Sequence, residues 1–189
     1  MAVFCSFTPI LPFQVKTYTS MQENVGAMTP PGKKAVDLLD LPGHERLRYN
    51  SLAKHKKNAR GIIYVLDAST ITKGIRDATE FLFRILSDPT LHSNRVPVLI
   101  ACNKQDLTLA KGSSVIQREL AKEVGLLRET HSRSLQGTDG NSAVDHVFLG
   151  KAGKDFAFSD LPAKIEFCEI SALQDENIDN VNAWIDSIA

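Results

Sequence analysis

Four short runs along the chain are apolar with little alternation: Ala35–Asp40 (AVDLLD), Gly61–Asp67 (GIIYVLD), Val96–Asn103 (VPVLIACN) and Lys164–Ser171 (KIEFCEIS). A strand covered on both faces shows no polar side, so the pattern predicts four buried strands of a parallel sheet. Helical stripes separate them. Ile75, Ala78, Leu82 and Ile85 recur at helical spacing and stop before Asp88-Pro89, because proline cannot continue a helix. Ile116, Leu120, Val124 and Leu127 form a second stripe, with Ser114 and Gln117 spaced as a capping box. Ile178, Val181, Ile185 and Ile188 form a third, beside Trp184. These apolar positions are read as core.

Strands alternating with helices predict an α/β fold with a doubly wound, mostly parallel sheet. Ligands of such sheets bind beyond the carboxyl ends of the strands, at the switch point of the strand order. Residues 130–154 break the pattern, being polar and glycine-rich without periodicity, and are expected to form a long surface loop. No internal repeat and no second domain is evident.

Composition changes this picture little. The 189 residues are 43% apolar and 23% charged, with a formal net charge of +0. That is one globular domain without the field that would draw it to DNA or anionic lipid. The three cysteines, Cys5, Cys102 and Cys168, have no metal-site or disulfide spacing. Cys102 and Cys168 lie in apolar runs and read as small buried hydrophobes. No run approaches the ~20 apolar residues of a membrane span. The apolar start, MAVFCSFTPILPF, has no basic leader and is broken by Pro9 and Pro12, so it does not read as a signal peptide.

The polar residues at the strand ends carry the candidate chemistry. Asn103-Lys104-Gln105-Asp106 follows the third run as N-K-x-D. A carboxylate at Asp106 can accept from the N1–H and exocyclic amine of guanine, whereas adenine would leave it unpaired. Asn103 can tie the loop to neighbouring backbone, and the methylenes of Lys104 can cover a ring face. Asp40-Leu41-Pro42-Gly43 follows the first run as D-x-x-G. Asp40 can hold a water of a Mg²⁺ ion, and Gly43 lets a backbone N–H approach a phosphate. Ser171-Ala172 follows the last run, where a backbone N–H can meet the guanine O6.

With these motifs in this order, the chain resembles small GTPases of the Arf/Sar-like branch. More narrowly it resembles the beta subunits of the signal recognition particle receptor. The resemblance rests on KTYTSMQENVG (Lys16–Gly26), DLPGHERLR (Asp40–Arg48), LIACNKQD (Leu99–Asp106) and KDFAFSDLPAKIEF (Lys154–Phe167), and covers roughly residues 14–189. It implies a P-loop small-GTPase-type fold that uses GTP and Mg²⁺. It also implies a heterodimer with the receptor alpha subunit at the cytosolic face of the endoplasmic reticulum membrane, and a role in docking ribosome–nascent-chain complexes, with the ribosome as a further contact. By the same resemblance Thr19 is the switch threonine that senses Mg²⁺ and the γ-phosphate. His44 stands where the family places the group that orients the attacking water; its other reading is an exposed loop histidine. The remaining histidines, at 55, 92, 131 and 146, read as surface residues. Arg46, Arg48, Lys54, Lys56, Lys57 and Arg60 crowd the segment after D-x-x-G and read as a solvated helix face, or else as a contact for an acidic partner or ribosomal RNA.

One family element has no counterpart. The phosphate-cradling G-x-x-x-x-G-K-[ST] does not occur, and Gly32-Lys33-Lys34 reads as a turn. The sequence-based expectation is therefore a domain lacking most of its first strand and the P-loop, with residues 1–13 unrelated to the family, although the run Ala2–Phe7 can fill part of the gap the strand leaves. A truncated gene model, an alternative first exon or a degenerate copy would each produce this. GTP and Mg²⁺ binding is expected to be weak or absent, and hydrolysis is not expected. A nucleotide-independent scaffold or a non-functional truncated copy remains the alternative.

Overall fold

The computed structural model describes residues 2–6, 22–29, 32–33, 35–136 and 146–189, with residues 2–6 and 133–136 as backbone only. Thr19 lies outside the described residues. Six strands form one sheet: β1 (Ala2–Ser6), β2 (Asn24–Met28), β3 (Val36–Leu41), β4 (Gly61–Asp67), β5 (Val98–Asn103) and β6 (Ile165–Glu169). Their spatial order is β2-β3-β1-β4-β5-β6. All neighbours run parallel except β2 and β3, which are antiparallel. The helices are α1 (Glu45–His55), α2 (Ile71–Ser87), α3 (Pro89–Ser93), α4 (Ser113–Gln136) and α5 (Ile178–Ile188).

The parallel strands sort their side chains by alternation. Ile62, Tyr64 and Leu66 of β4 enter the core layer shared with Phe81, Leu82 and Ile85 of α2 and with Ile116, Leu120 and Val124 of α4. Ile63 and Val65, one residue out of phase, meet Val181, Trp184 and Ile185 of α5 on the opposite face. A period of two directed to two covered faces explains why the strands read as continuous apolar runs. Gly61 starts β4 directly under α5: a Cβ there would lie 2.4 Å from Ile188 Cδ1 and 2.7 Å from Trp184 Cη2. Only glycine permits that approach.

Three local expectations change in the fold. Helix α2 does end at Ser87, but Pro89 then opens α3 at its first turn, where the missing N–H is no loss. Asp88 caps it by accepting from the backbone N–H groups of Thr90 (2.9 Å) and Leu91 (3.2 Å). Helix α4 begins at Ser113, so Ser114 sits inside the first turn rather than ahead of it, and the Ser113 N–H is met by Glu169 Oε1 at 2.6 Å. The same helix continues to Gln136, into the segment expected to be loop. Buried Arg128 of α4 donates to the carbonyls of Leu149 (3.1 Å), Lys151 (3.3 Å) and Lys154 (2.6 Å), so residues 149–154 are tied to α4.

The first strand is more complete than expected, and it comes from the run read as able to fill part of its place. The structure places Ala2–Ser6 in the centre of the sheet, between β3 and β4. Phe4 stands in register with Asp40 on one side and Ile63 on the other. A gap there would leave unpaired backbone groups on both flanking strands, so a five-residue extended segment satisfies them. Gly32 adopts a left-handed φ of 72°, in keeping with the turn expected at Gly32-Lys33-Lys34.

Candidate functional site

The connections from β1 run to β2 and β3 on one side, and the chain then crosses to β4, β5 and β6 on the other. The carboxyl end of β1 is therefore the switch point, and the strand-end motifs gather on that edge of the sheet.

On the β4–β6 side the motif residues hold one another. Asn103 closes β5 and is only 5% exposed. Its Oδ1 accepts from the backbone N–H of Lys104 (2.8 Å) and of Ala172 (3.0 Å), joining two strand-end loops through one atom. Ser171 is fully buried, donates its hydroxyl to Asp106 Oδ1 at 2.6 Å, and accepts from the Gln174 N–H at 3.2 Å. The Gln105 N–H donates to the Ile170 carbonyl at 3.1 Å. The five expected base-site residues, Asn103, Lys104, Asp106, Ser171 and Ala172, are thus brought into one bonded unit. Lys104 has φ 71°, in the left-handed region that a side chain rarely adopts. Such backbone persists only where the surroundings hold it, and it clusters at ligand sites.

Asp67, at the end of β4, belongs to the same unit and was not picked out from the sequence. Its Oδ2 accepts from Lys104 Nζ at 2.7 Å. Its Oδ1 accepts from the Ser69 N–H (2.9 Å), the Ser69 hydroxyl (2.6 Å) and the Thr70 N–H (3.3 Å). Burial pushes its pKa up, but the Lys104 ammonium and the Ser69 donors outweigh that, and the carboxyl lies below its ordinary value. The only signal in the sequence was an aspartate directly after an apolar run.

The phosphate side is put together differently. Asp40 is half-buried in β3 and accepts from Asn24 Nδ2 at 3.3 Å. Burial raises its pKa and the Asn24 bond offsets only part of that. Gly43 is half-buried, and His44 is exposed in the N-cap position of α1, where its side chain makes no capping bond. The tethers here run between flanking elements. Glu23 accepts from Ser51 Oγ (2.6 Å) and Lys54 Nζ (3.4 Å) and contacts His55 Nε2 (3.2 Å), which joins the approach to β2 to helix α1. The Ser51 bond leads the interactions that hold Glu23 below its ordinary pKa.

Half of the basic stretch makes contacts within the chain. Arg48 lies over the Phe81 ring at 4.4 Å, Lys54 pairs with Glu23, and Lys56 pairs with Asp88 at 2.6 Å. Arg46, Lys57 and Arg60 stay exposed. His55, His131 and His146 are not simple surface residues: His131 stacks on Phe83 with ring centroids 5.0 Å apart, and His146 Nδ1 lies 3.1 Å from the buried Ser87 hydroxyl. Cys102 is fully buried and Cys168 partly so, with burial pushing the thiols up to about 12 and about 11.

The β4–β6 half of the edge brings together a carboxylate on a braced loop and a lysine stem, with the Ala172 N–H held by Asn103 Oδ1. The phosphate half offers Asp40 and Gly43, and among the described residues no three His, Cys, Asp or Glu could together hold a metal ion. Residues 7–165 match the family model of the signal recognition particle receptor beta subunit. The chain belongs to that family. The match begins inside the segment expected to be unrelated to it. The mouse receptor subunit beta is 39% identical over 161 residues, spanning 82% of this chain and 60% of the relative. The human one is 40% identical over 82% of this chain and 59% of the relative. The chain therefore spans about 60% of the length of these relatives. The structure resembles that of the mammalian receptor with a TM-score of 0.83 and 32% identity, covering 100% of this chain and 99% of the other. It also resembles the GDP complex of the Chaetomium thermophilum beta subunit, with a TM-score of 0.67 and 25% identity over 81% of this chain and 79% of that one. The Arl6 small GTPase of Trypanosoma brucei shares the fold, with a TM-score of 0.60 at 14% identity over 98% of this chain and 94% of the other. The α/β sheet expected from the strand pattern, and the small-GTPase-type fold implied by the resemblance, are the observed ones.

Proposed function

We propose that this chain is a guanine-nucleotide-binding subunit of the signal recognition particle receptor. In this reading it binds the receptor alpha subunit at the cytosolic face of the endoplasmic reticulum membrane and serves co-translational targeting of ribosome–nascent-chain complexes. Family membership supports the receptor role, and the Chaetomium relative carries GDP. The observation that carries the nucleotide reading is the Asp106–Ser171 and Asn103–Ala172 bonding, which gathers the Asp106 carboxylate and the Ser171–Ala172 loop at one sheet edge. No described helix is long and apolar enough to cross a membrane.

Asp40, Gly43 and Thr19 would face the phosphates and the Mg²⁺ ion, and His44 the attacking water. Mg²⁺ would supply charge neutralisation of the β- and γ-phosphates when bound. The sequence contains no G-x-x-x-x-G-K-[ST], so the backbone and lysine contacts of that loop are not supplied by such a motif. Each charge-assisted bond contributes ~1.5–3 kcal/mol, and losing several puts GTP affinity at about millimolar. Titrating GTP and ATP into the full chain by ligand-detected NMR tests this. GTP binding over ATP at about millimolar supports the reading, and equal binding of the two overturns it.

A second reading, a scaffold that holds the alpha subunit without nucleotide, is favoured by the Glu23–Ser51 tether, which ties α1 to the approach to β2 through the chain's own side chains. Titrating the alpha subunit's N-terminal domain with and without GTP separates the two. The first reading expects weak binding that GTP barely changes until a family-type P-loop segment is restored, whereupon affinity and GTP dependence both rise. The scaffold reading expects tight binding indifferent to nucleotide and to that restoration.

A further inference from the structure

The β4 end carries an ion pair that the motif reading does not use. Lys104 Nζ and Asp67 Oδ2 are 2.7 Å apart, with the lysine side chain 33% and the aspartate side chain 14% exposed. Asp67 and Asn103 are register partners on adjacent parallel strands, so the lysine stem leaves the end of β5 and crosses to the end of β4. The loops themselves are coupled: the Ala68 N–H donates to the Asn103 carbonyl at 2.9 Å, and the Lys111 N–H to the Ala68 carbonyl at 3.0 Å. Because Oδ1 of Asp67 already takes three donors from the Ser69–Thr70 turn, the carboxylate cannot swing, and Oδ2 is presented to the lysine.

A free lysine stem has many rotamers, and ordering it on binding costs affinity. Here the ammonium is anchored within the chain by Asp67. The anchor also keeps the positive charge at the β4 end, two residues before the Asp106 carboxylate. Pairing of Lys104 with Asp106 itself would compete with the base for that acceptor.

We propose that Asp67 is a positioning residue for base recognition. By holding the Lys104 ammonium it fixes the lysine's methylene stem as the wall against which a purine ring packs, and keeps Asp106 open to the base. This rests on the guanine reading above.

The test uses the full chain as wild type, Asp67→Asn, Lys104→Met and the double variant, titrated with GTP and with ATP by ligand-detected NMR. Asparagine retains an Oδ1 acceptor for the Ser69–Thr70 turn while removing the charge that holds the lysine. The expected result is that Asp67→Asn weakens GTP about five- to tenfold, and that the same change adds no further loss in the Lys104→Met background. Asp67→Glu, which keeps the charge, should recover part of the loss, and the thermal midpoint of each variant separates this from unfolding. An Asp67→Asn loss of equal size in both backgrounds, or no loss in either, overturns the proposal while leaving the guanine reading intact. Equal binding of GTP and ATP by the wild type overturns the guanine reading, and this proposal with it.

Discussion

The two halves of the sheet edge are stabilised on different principles. On the β4–β6 side the residues that would face a ligand bond to each other: Asn103 to Ala172, Asp106 to Ser171, Lys104 to Asp67. On the β2–β3 side the strongest side-chain bonds join Glu23 to helix α1, behind the ligand-facing positions, and leave His44 exposed. A base is recognised by a few directional hydrogen bonds, so its acceptors gain from being fixed beforehand. A phosphate and its Mg²⁺ bring charges larger than any side chain's and can order their surroundings on arrival. The contrast extends to the two carboxyls: Asp67 is held below its ordinary pKa by partners, whereas burial leaves Asp40 above its own.

The comparison breaks first at Asp106. Asp106→Asn replaces the guanine-pairing carboxylate, and base preference should move from GTP toward XTP by about a hundredfold. Competition binding of the two nucleotides measures it, and unchanged GTP preference would show that the braced loop serves something other than a base.

Next in size is Asn103→Ala. It strips the shared acceptor from two backbone N–H groups in a largely buried corner, and should destabilise the fold by ~2–3 kcal/mol. Urea unfolding followed by the fluorescence of Trp184 reports this; a change under ~0.5 kcal/mol, the level of a neutral surface substitution, would mean that the two loops are held elsewhere.

Ser51→Ala sharpens the other half. It removes the leading bond to Glu23 and should cost ~1 kcal/mol, with faster amide exchange across α1 but not across α4. Equal acceleration in both helices would show a global effect and no local tether.

The smallest effects are the opposed pH slopes, each under ~1 kcal/mol because both carboxyls are partly solvated. Asp67, depressed in the fold, contributes stability that is present above the ordinary value of 3.8 and lost as the pH falls through its lower folded value. Asp40, raised in the fold, does the reverse: its contribution is present below 3.8 and lost as the pH rises through its folded value. Acid unfolding of Asp67→Asn and Asp40→Asn should therefore depart from wild type with opposite signs. Departures of one sign would show that a common burial effect dominates both sites.

Much of this was legible before folding because it is local. The four apolar runs became β3, β4, β5 and β6, and the candidate-site motifs sit at the ends of three of them, since a buried strand needs a particular side-chain pattern and a ligand site needs polar residues just beyond it. Helix α1 was harder to see because its sequence, ERLRYNSLAKH, lacks an apolar stripe, and only Ser51 and Leu52 are buried. Three decisions were tertiary. Asp67 and Lys104 are 37 residues apart, Asp106 and Ser171 are 65 apart, and Asn103 and Ala172 are 69 apart, so no window of sequence contains these pairs. The central place of Ala2–Ser6 was also undecidable locally. Five residues of extended propensity suit many edges, and what selects this one is the demand of β3 and β4 for backbone partners on both sides. Sequence by itself determined which groups can do chemistry and roughly where along each element they fall. The sheet decided which of them meet, because hydrogen bonds between distant residues exist only once the strands that carry them lie side by side.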